Sequence, residues 1–241
     1  MSNEQMVSCL CVTRCRVEKL KRAITCFTRQ TYAPRELVVV YESDDWATRD
    51  YLAGLPADAS LRVVEVPALP KQTLGALRNI AVQAAQGHFV AQWDDDDWHS
   101  PVRLAEQVRA LMESPYSACA LMRWVLYDEI TQQAYLSGPR AWEGSLVALR
   151  EVLPPYAELA KGEDTPVLQQ LMAQDKLVGL DSPHLYIYTY HGANVWGRAH
   201  WRKNLLAYAQ VLAPDSIERV QKVLRGHNLA VDATALQKLQ A

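Results

Sequence analysis

The chain has 241 residues, enough for one large domain with a substantial buried core. Hydrophobic residues make up 49% and charged residues 22%, a globular balance that excludes an intrinsically disordered chain. The formal net charge of −2 argues against a protein that grips nucleic acid over many phosphates, because such proteins carry a basic excess.

Met1 to Gln5 is polar, and the apolar run Met6 to Val12 is too short, and lacks the basic flank, for a signal peptide. No later stretch approaches the roughly 20 apolar residues that span a bilayer. Val7 to Val12 reads as a strand carrying Cys9 and Cys11, whose parallel side chains are poorly placed to bridge each other. With Cys15, Cys26 and Cys119 the cysteines are odd in number and lack the second half of a zinc site, so reduced thiols in a cytoplasmic protein are expected. Val17, Leu20, Ile24 and Phe27 recur at helical spacing. Glu36 to Tyr41 is a β-branched run, the pattern of a strand covered on both faces. A short helix over Thr48 to Leu55, a strand over Leu61 to Val66 and a helix over Thr73 to Gln86 follow, the last with Gly87 at its C-cap. His88 to Trp93 is a fourth strand that runs into Asp94-Asp95-Asp96-Asp97. The β-α-β-α repetition predicts a mostly parallel sheet with helices on both faces, and ligands bind such sheets beyond the carboxyl ends of the strands.

After Pro101 the pattern gives a helix over Val102 to Met112 and a hairpin pair over Ser117 to Tyr127 and Gln132 to Leu136. Loops rich in Pro, Gly and Trp follow over residues 138–162, then a helix over Glu163 to Gln174 and strands near Leu177 to Leu180 and His184 to Tyr190. From Ala199 the chain is polar and helical, ending in a packing appendage over residues 213–241. Tyr186, Tyr188 and Tyr190 alternate on one strand face and are expected to form a sheet surface.

Four adjacent carboxylates repel one another and call for a cation, and Mg²⁺ or Mn²⁺ uses one or two carboxylates plus substrate phosphates. Strand alternation divides the run into Asp94 with Asp96 and Asp95 with Asp97, the second pair serving the helix that starts at Pro101. A solvated acidic turn is the plain alternative, against which stand Trp93 and Trp98 on either side. An EF-hand fails, since His99 or Ser100 stands where the loop needs Gly.

Several ordered motifs resemble a known family. Val7 to Thr13, Gln30-Thr31-Tyr32 with Glu36 to Val40, Gly75-Ala76-Leu77-Arg78-Asn79 with Gly87 to Val90, Trp93 to Pro101, and Gly162-Glu163-Asp164 resemble the family 2 glycosyltransferases. The resemblance spans about Val7 to Trp196 and implies an α/β GT-A fold, a mostly parallel central sheet with helices on both faces and a smaller acceptor-side subregion. It places one domain over residues 1–212, with a nucleotide-sugar half over 1–98 and an acceptor half over 99–212. It implies transfer from a nucleotide-sugar, with a UDP-sugar the leading expectation, assisted by Mn²⁺ or Mg²⁺. The acceptor stays open among glycan, lipid-linked, protein and modified nucleic-acid hydroxyls.

Carried over residue by residue, the resemblance puts Thr13 against the nucleoside, Glu42 against the base, and Arg78 near base or diphosphate. Asp94 would hold the ribose, Asp96 the metal and Asp95 one or both, with His191 at the diphosphate or metal and Asp164 as general base. Glu163, Trp142 and Trp196 are acceptor-side candidates. Asp164 also stands where a helix N-cap would, and Arg78, His191 and the tryptophans each have an ordinary structural reading. The family's Pro-Thr-Tyr-Asn-Arg reads Val12-Thr13-Arg14-Cys15-Arg16, and its paired Asp reads Tyr41-Glu42, which leaves the base open. A nucleotidyltransferase is a second reading, opposed by the absence of glycine from Val12 to Val17; a sugar- or nucleotide-binding module without transfer is a third.

Overall fold

The computed structural model describes residues 5–226 together with residues 236 and 239. The first half alternates as expected: β1 (Val7–Val12), α1 (Val17–Thr28), β2 (Arg35–Glu42), α2 (Trp46–Ala53), β3 (Leu61–Val66), α3 (Leu74–Ala84) and β4 (Phe89–Gln92). Then come β5 (Trp98–His99), α4 (Arg103–Met112), β6 (Ala118–Leu121), β7 (Val125–Asp128), β8 (Gln133–Leu136) and β9 (Val147–Leu149). The chain continues with α5 (Thr165–Ala173), β10 (Leu177–Leu180), β11 (Tyr186–Tyr190), α6 (Arg198–His200), β12 (Gln210–Val211) and α7 (Pro214–Leu224).

The central sheet has the order β10-β6-β9-β4-β1-β2-β3, parallel throughout except for β9, which runs antiparallel to both β4 and β6. Side chains alternate across it. Cys9, Cys11, Leu37 and Val39 pack on α1 and α4 residues such as Leu20, Phe27, Leu104 and Val108, whereas Leu10, Val38, Val40 and Val90 pack on Leu77 and Ala81 of α3. Burial of both faces explains the unbroken apolar run of β2. A second sheet, ordered β12-β8-β7-β11-β5, sets β11 beside the turn that follows β4.

The Gln-Thr motif at Gln30-Thr31 ties the end of α1 to the start of α4. Gln30 Oε1 accepts from Leu104 N at 3.1 Å and its Nε2 donates to Ser100 O at 2.7 Å, while Thr31 N donates to Pro101 O at 2.8 Å. Asn79 performs the matching task for α3, its amide bonded to both the O and N of Tyr156 at 2.9 Å.

Four expectations need correction. Ser117 to Tyr127 is not one strand of a hairpin: it breaks into β6 of the central sheet and β7 of the second, and only β7–β8 is the hairpin. The loop region over 138–162 contains β9, too short to show a period. Gly87 is not a helix cap; α3 ends at Ala84, and a Cβ at Gly87 would lie 2.6 Å from Ser8 N in the neighbouring strand. The tyrosines of β11 do not form a sheet surface, since Tyr186 and Tyr190 are buried and Tyr188 stacks on Trp201 at 5.7 Å. In the C-terminal appendage α7 buries Val220 and Val223, and residues 227–235, 237, 238, 240 and 241 lie outside the described residues.

Gly75, in the first turn of α3, donates its N–H to Leu159 O at 3.1 Å, and a Cβ there would come 1.8 Å from Ala157 O. Alanine favours a helix over glycine by about 1 kcal/mol, but here the loop backbone occupies its space. Gly75→Ala is therefore expected to destabilise the protein by about 1–3 kcal/mol in urea denaturation; an unchanged midpoint would mean that the Ala157 loop yields.

Candidate active site

A cleft of about 370 Å³ opens at the carboxyl ends of β1 and β4. β1 is where the strand order reverses, between β2 and β4, the position at which open α/β sheets bind ligands. The turn Asp94–Asp97 forms its floor, Gly162 to Thr165 one wall, and residues from Asn194 to Leu205 the opposite side.

The aspartates do not divide by strand alternation. The chain turns at Asp95–Asp96 instead of continuing extended, so neighbours share a partner. Asp94 Oδ1 accepts from Arg78 Nη2 at 2.8 Å. Asp95 accepts from Thr13 Oγ1 at 2.7 Å and from Arg16 Nη2 at 2.9 Å. Asp96 Oδ2 receives Arg16 Nη1 at 2.8 Å and lies 3.1 Å from His191 Nε2. Asp97 turns away from the cation side: the Tyr186 hydroxyl and Thr189 N, the latter at 2.9 Å, donate to it, and it does not serve the α4 start.

Burial and the Asp96 charge push the Asp95 carboxyl up, against Arg16 and Thr13. Burial also opposes ionisation of Asp96, but His191 and Arg16 outweigh it and hold its carboxyl below the usual range. Asp97 is raised well above that range by burial and by Asp96 and Asp94. Of Asp95, Asp96 and Asp97, Asp96 is therefore the one that stays most firmly ionised.

Asp96 Oδ2 and His191 Nε2 fit a pair of adjacent ligands on one ion, since bonds of about 2.1 Å at right angles separate two ligand atoms by roughly 3 Å. Among the described residues no group of three or more His, Cys, Asp or Glu side chains is arranged to hold a metal. The Arg16 guanidinium lies on the same carboxylate edge.

Asp164 stands at the N-cap of α5, yet its side chain makes no capping bond. It is turned into the cleft, with Gln92 Nε2 at 3.4 Å from Oδ2. Gln92 Oε1 in turn accepts from the Tyr156 hydroxyl at 3.0 Å, which links Asp164 through the Tyr156 loop to Asn79. Burial pushes the Asp164 carboxyl to about 6; Arg78 opposes this, and Glu163, Glu143 and Asp94 add to it. Arg78 is itself buried, its Nε donating to Glu163 Oε1 at 2.6 Å, so it spans the gap between floor and wall. Glu163, expected on the acceptor side, is spent on that ion pair and is 2% exposed.

Glu42 ends β2 and is buried, with Arg14 and Lys71 both bonded to Oε2 and no partner on Oε1. Trp142 lines the cleft and stacks on Trp124 at 4.5 Å, while Trp196 stacks on His200 at 4.2 Å beneath Lys161. Sequence reasoning passed over Arg16, Gln92, Tyr156 and Glu143. Only Arg16 had a local signal, as the last residue of the altered Pro-Thr-Tyr-Asn-Arg motif; the others enter through contacts distant in sequence.

Comparison with solved structures gives the same fold at low sequence identity. Staphylococcus aureus TarS 1–349 in complex with UDP-GlcNAc superposes with a TM-score of 0.62 at 15% identity, covering 96% of this chain and 70% of that one. The mannosyltransferase PcManGT from Pyrobaculum calidifontis, in complex with GDP-Man and Mn²⁺, gives 0.60 at 15% identity, covering 98% and 70%. A comparison with curated proteins finds no match. Residues 8–163, more than half of the chain, match glycosyl transferase family 2. With a GT-A sheet and its cleft at the carboxyl ends of β1 and β4, this chain belongs to glycosyl transferase family 2 and is a glycosyltransferase.

Proposed function

We propose that this enzyme transfers a sugar, with inversion, from a UDP-sugar to an acceptor hydroxyl, with Asp164 as general base and a divalent ion at Asp96. The observation that carries the reading is the uncapped, half-buried Asp164 carboxyl on the wall of the cleft whose floor is Asp94–Asp97. A carboxyl at about 6 is deprotonated at neutral pH and still basic enough to take a proton from an attacking hydroxyl. Gln92 orients it, and Arg78 fixes the distance between the Glu163-Asp164 wall and Asp94. Asp94 and Asp95 are assigned to the donor ribose and diphosphate side, with Thr13 orienting Asp95.

A divalent ion on Asp96 and His191 would neutralise charge developing on the leaving diphosphate. Asp96 and His191 would hold the ion, and Arg16, on the same carboxylate edge, would add positive charge beside the diphosphate.

Arg14, Glu42 and Lys71 support uracil. Both cations are bonded to Oε2 of Glu42, which leaves Oε1 as an unused acceptor for the N3–H of uracil, with the two cations as donors to its carbonyl oxygens. Guanine presents two neighbouring donors and would leave a cation unmatched.

Isothermal calorimetry with Mn²⁺ should give tighter binding of UDP than of GDP, and Asp96→Asn should weaken the Mn²⁺-dependent part by more than about tenfold. Equal affinities for the two nucleotides would remove the uracil assignment, and an unaffected Asp96→Asn the metal assignment. Asp164→Asn should abolish transfer while UDP still binds. In the wild type, kcat/KM should rise about tenfold per pH unit up to pH about 6 and then level. The folded-state carboxyl is raised, so its stabilising contribution is complete below about pH 4 and is lost as pH climbs through about 6. Thermal melts of Asp164→Asn should accordingly gain on the wild type between those values; parallel melting curves would contradict the half-buried carboxyl.

A further inference from the structure

The acceptor end of the cleft has a charge pattern opposite to its floor. Residues 191–213 contain His191, Arg198, His200, Arg202 and Lys203 and no Asp or Glu, in a chain whose net charge is −2. Arg198 is committed to Asp128 at 2.7 Å, but Arg202 and Lys203 are exposed and His200 lines the cleft. Across from them stands Arg140, and Lys161 of the base-bearing loop reaches the same place.

The aromatic residues here are already in use. Trp196 has the His200 ring stacked on it at 4.2 Å and 20° and Lys161 Nζ over it at 4.8 Å. Trp142 lies against Trp124 with Arg140 over both rings. Neither offers a clear face for a neutral sugar ring. What remains available is a set of donors. Lys161 has no carboxylate partner among the described residues. His200 Nδ1 accepts from Asn204 Nδ2 at 2.7 Å, which puts the ring proton on Nε2. Burial, then Arg140 and Lys161, lower the His200 pKa, so both cations act on this ring and it is a neutral donor at pH 7. Arg140 Nη1 is paired with both carboxylate oxygens of Glu143 at 3.1 Å, so its remaining N–H groups are the donors on offer, and Glu143 Oε1 is 3.5 Å from Thr165 Oγ1, the residue after the base. Arg140 is thus linked through Glu143 to the residue after Asp164, and it lines the same cleft as His200.

We propose that the acceptor is an anionic saccharide, whose hydroxyl meets Asp164 while its phosphate or carboxylate is taken up by Arg140, His200 and Lys161. The inference rests on reading the cleft as a glycosyl-transfer site. The aspartate floor repels the acceptor's anion and the basic rim attracts it, which fixes the end of the acceptor that enters.

The test titrates the protein, held with UDP and Mn²⁺, with a neutral hexose, its 6-phosphate, a methyl phosphodiester of it and its uronic acid. At least one anionic form should bind about tenfold more tightly than the hexose and lose that advantage as salt rises. The three anionic arms separate monoester, diester and carboxylate. Lys161→Gln, on an exposed residue, and Arg140→Gln should each reduce the advantage, with an unchanged thermal midpoint showing that the fold is intact. Neutral and anionic forms binding equally, or an anion preference that both substitutions leave untouched, would overturn the proposal. Loss of UDP binding itself would instead count against the donor reading and is scored separately in the same cell.

Discussion

Unit charges about 4 Å apart interact by about 4 kcal/mol at an effective dielectric near 20, so four successive carboxylates in one turn would open that turn unless each were neutralised. The protein gives all four partners, one of them shared: Arg78 to Asp94, Arg16 and Thr13 to Asp95, Arg16 and His191 to Asp96, Tyr186 and the Thr189 amide to Asp97. Behind them Arg103 is wholly buried without a carboxylate partner in its first contacts. It lies between Trp93 and Tyr186, 5.3 Å from each ring, and donates to Gln92 O at 3.0 Å. Burial lowers the pKa of this cation, and Tyr186, Cys9, Asp94 and Asp97 oppose that only in part.

The partners come from different parts of the fold, which makes the turn a meeting point. Thr13 and Arg16 follow β1, Arg78 is on α3, His191 follows β11, and Tyr186 and Thr189 lie within β11. The second sheet brings β11 alongside β5, immediately after the turn, and so supplies the inward side of the aspartate run. The outward side belongs to the central sheet. Asp97 is therefore bonded into the second sheet, Asp94 and Asp95 take partners from the central-sheet side, and Asp96 takes one from each.

Much of this was legible in sequence where the signal is local. The α1 stripe of Val17, Leu20, Ile24 and Phe27, the apolar β2 run and the Pro that opens the α4 region all correspond to structure. The site's main residues were legible through ordered motifs, and Arg78, Asp94, Asp96 and Asp164 do gather at one cleft. What failed was inference that assumed regular geometry. Alternation paired the aspartates wrongly because the chain turns at Asp95–Asp96. Gly87 resembled a helix cap but is small because Ser8 crosses it. β9 spans only Val147–Leu149 and is stabilised by strands more than 25 residues away, so no window over it carries a period. Gln92 and Tyr156 belong to the Asp164 network through contacts that no spacing rule encodes.

β9 also decides how the chain can be divided. A division after residue 98 would fall soon after β4, and β4 is covered on its outer edge by β9, which arrives some fifty residues later. A fragment cut there would present the buried Phe89, Val90 and Ala91 on an unpaired strand edge, the template on which strands of other molecules add. The stretches before and after residue 98 are consequently not separable modules: exchange of the second stretch between relatives would have to keep β9 with the first to leave the sheet closed and the product soluble.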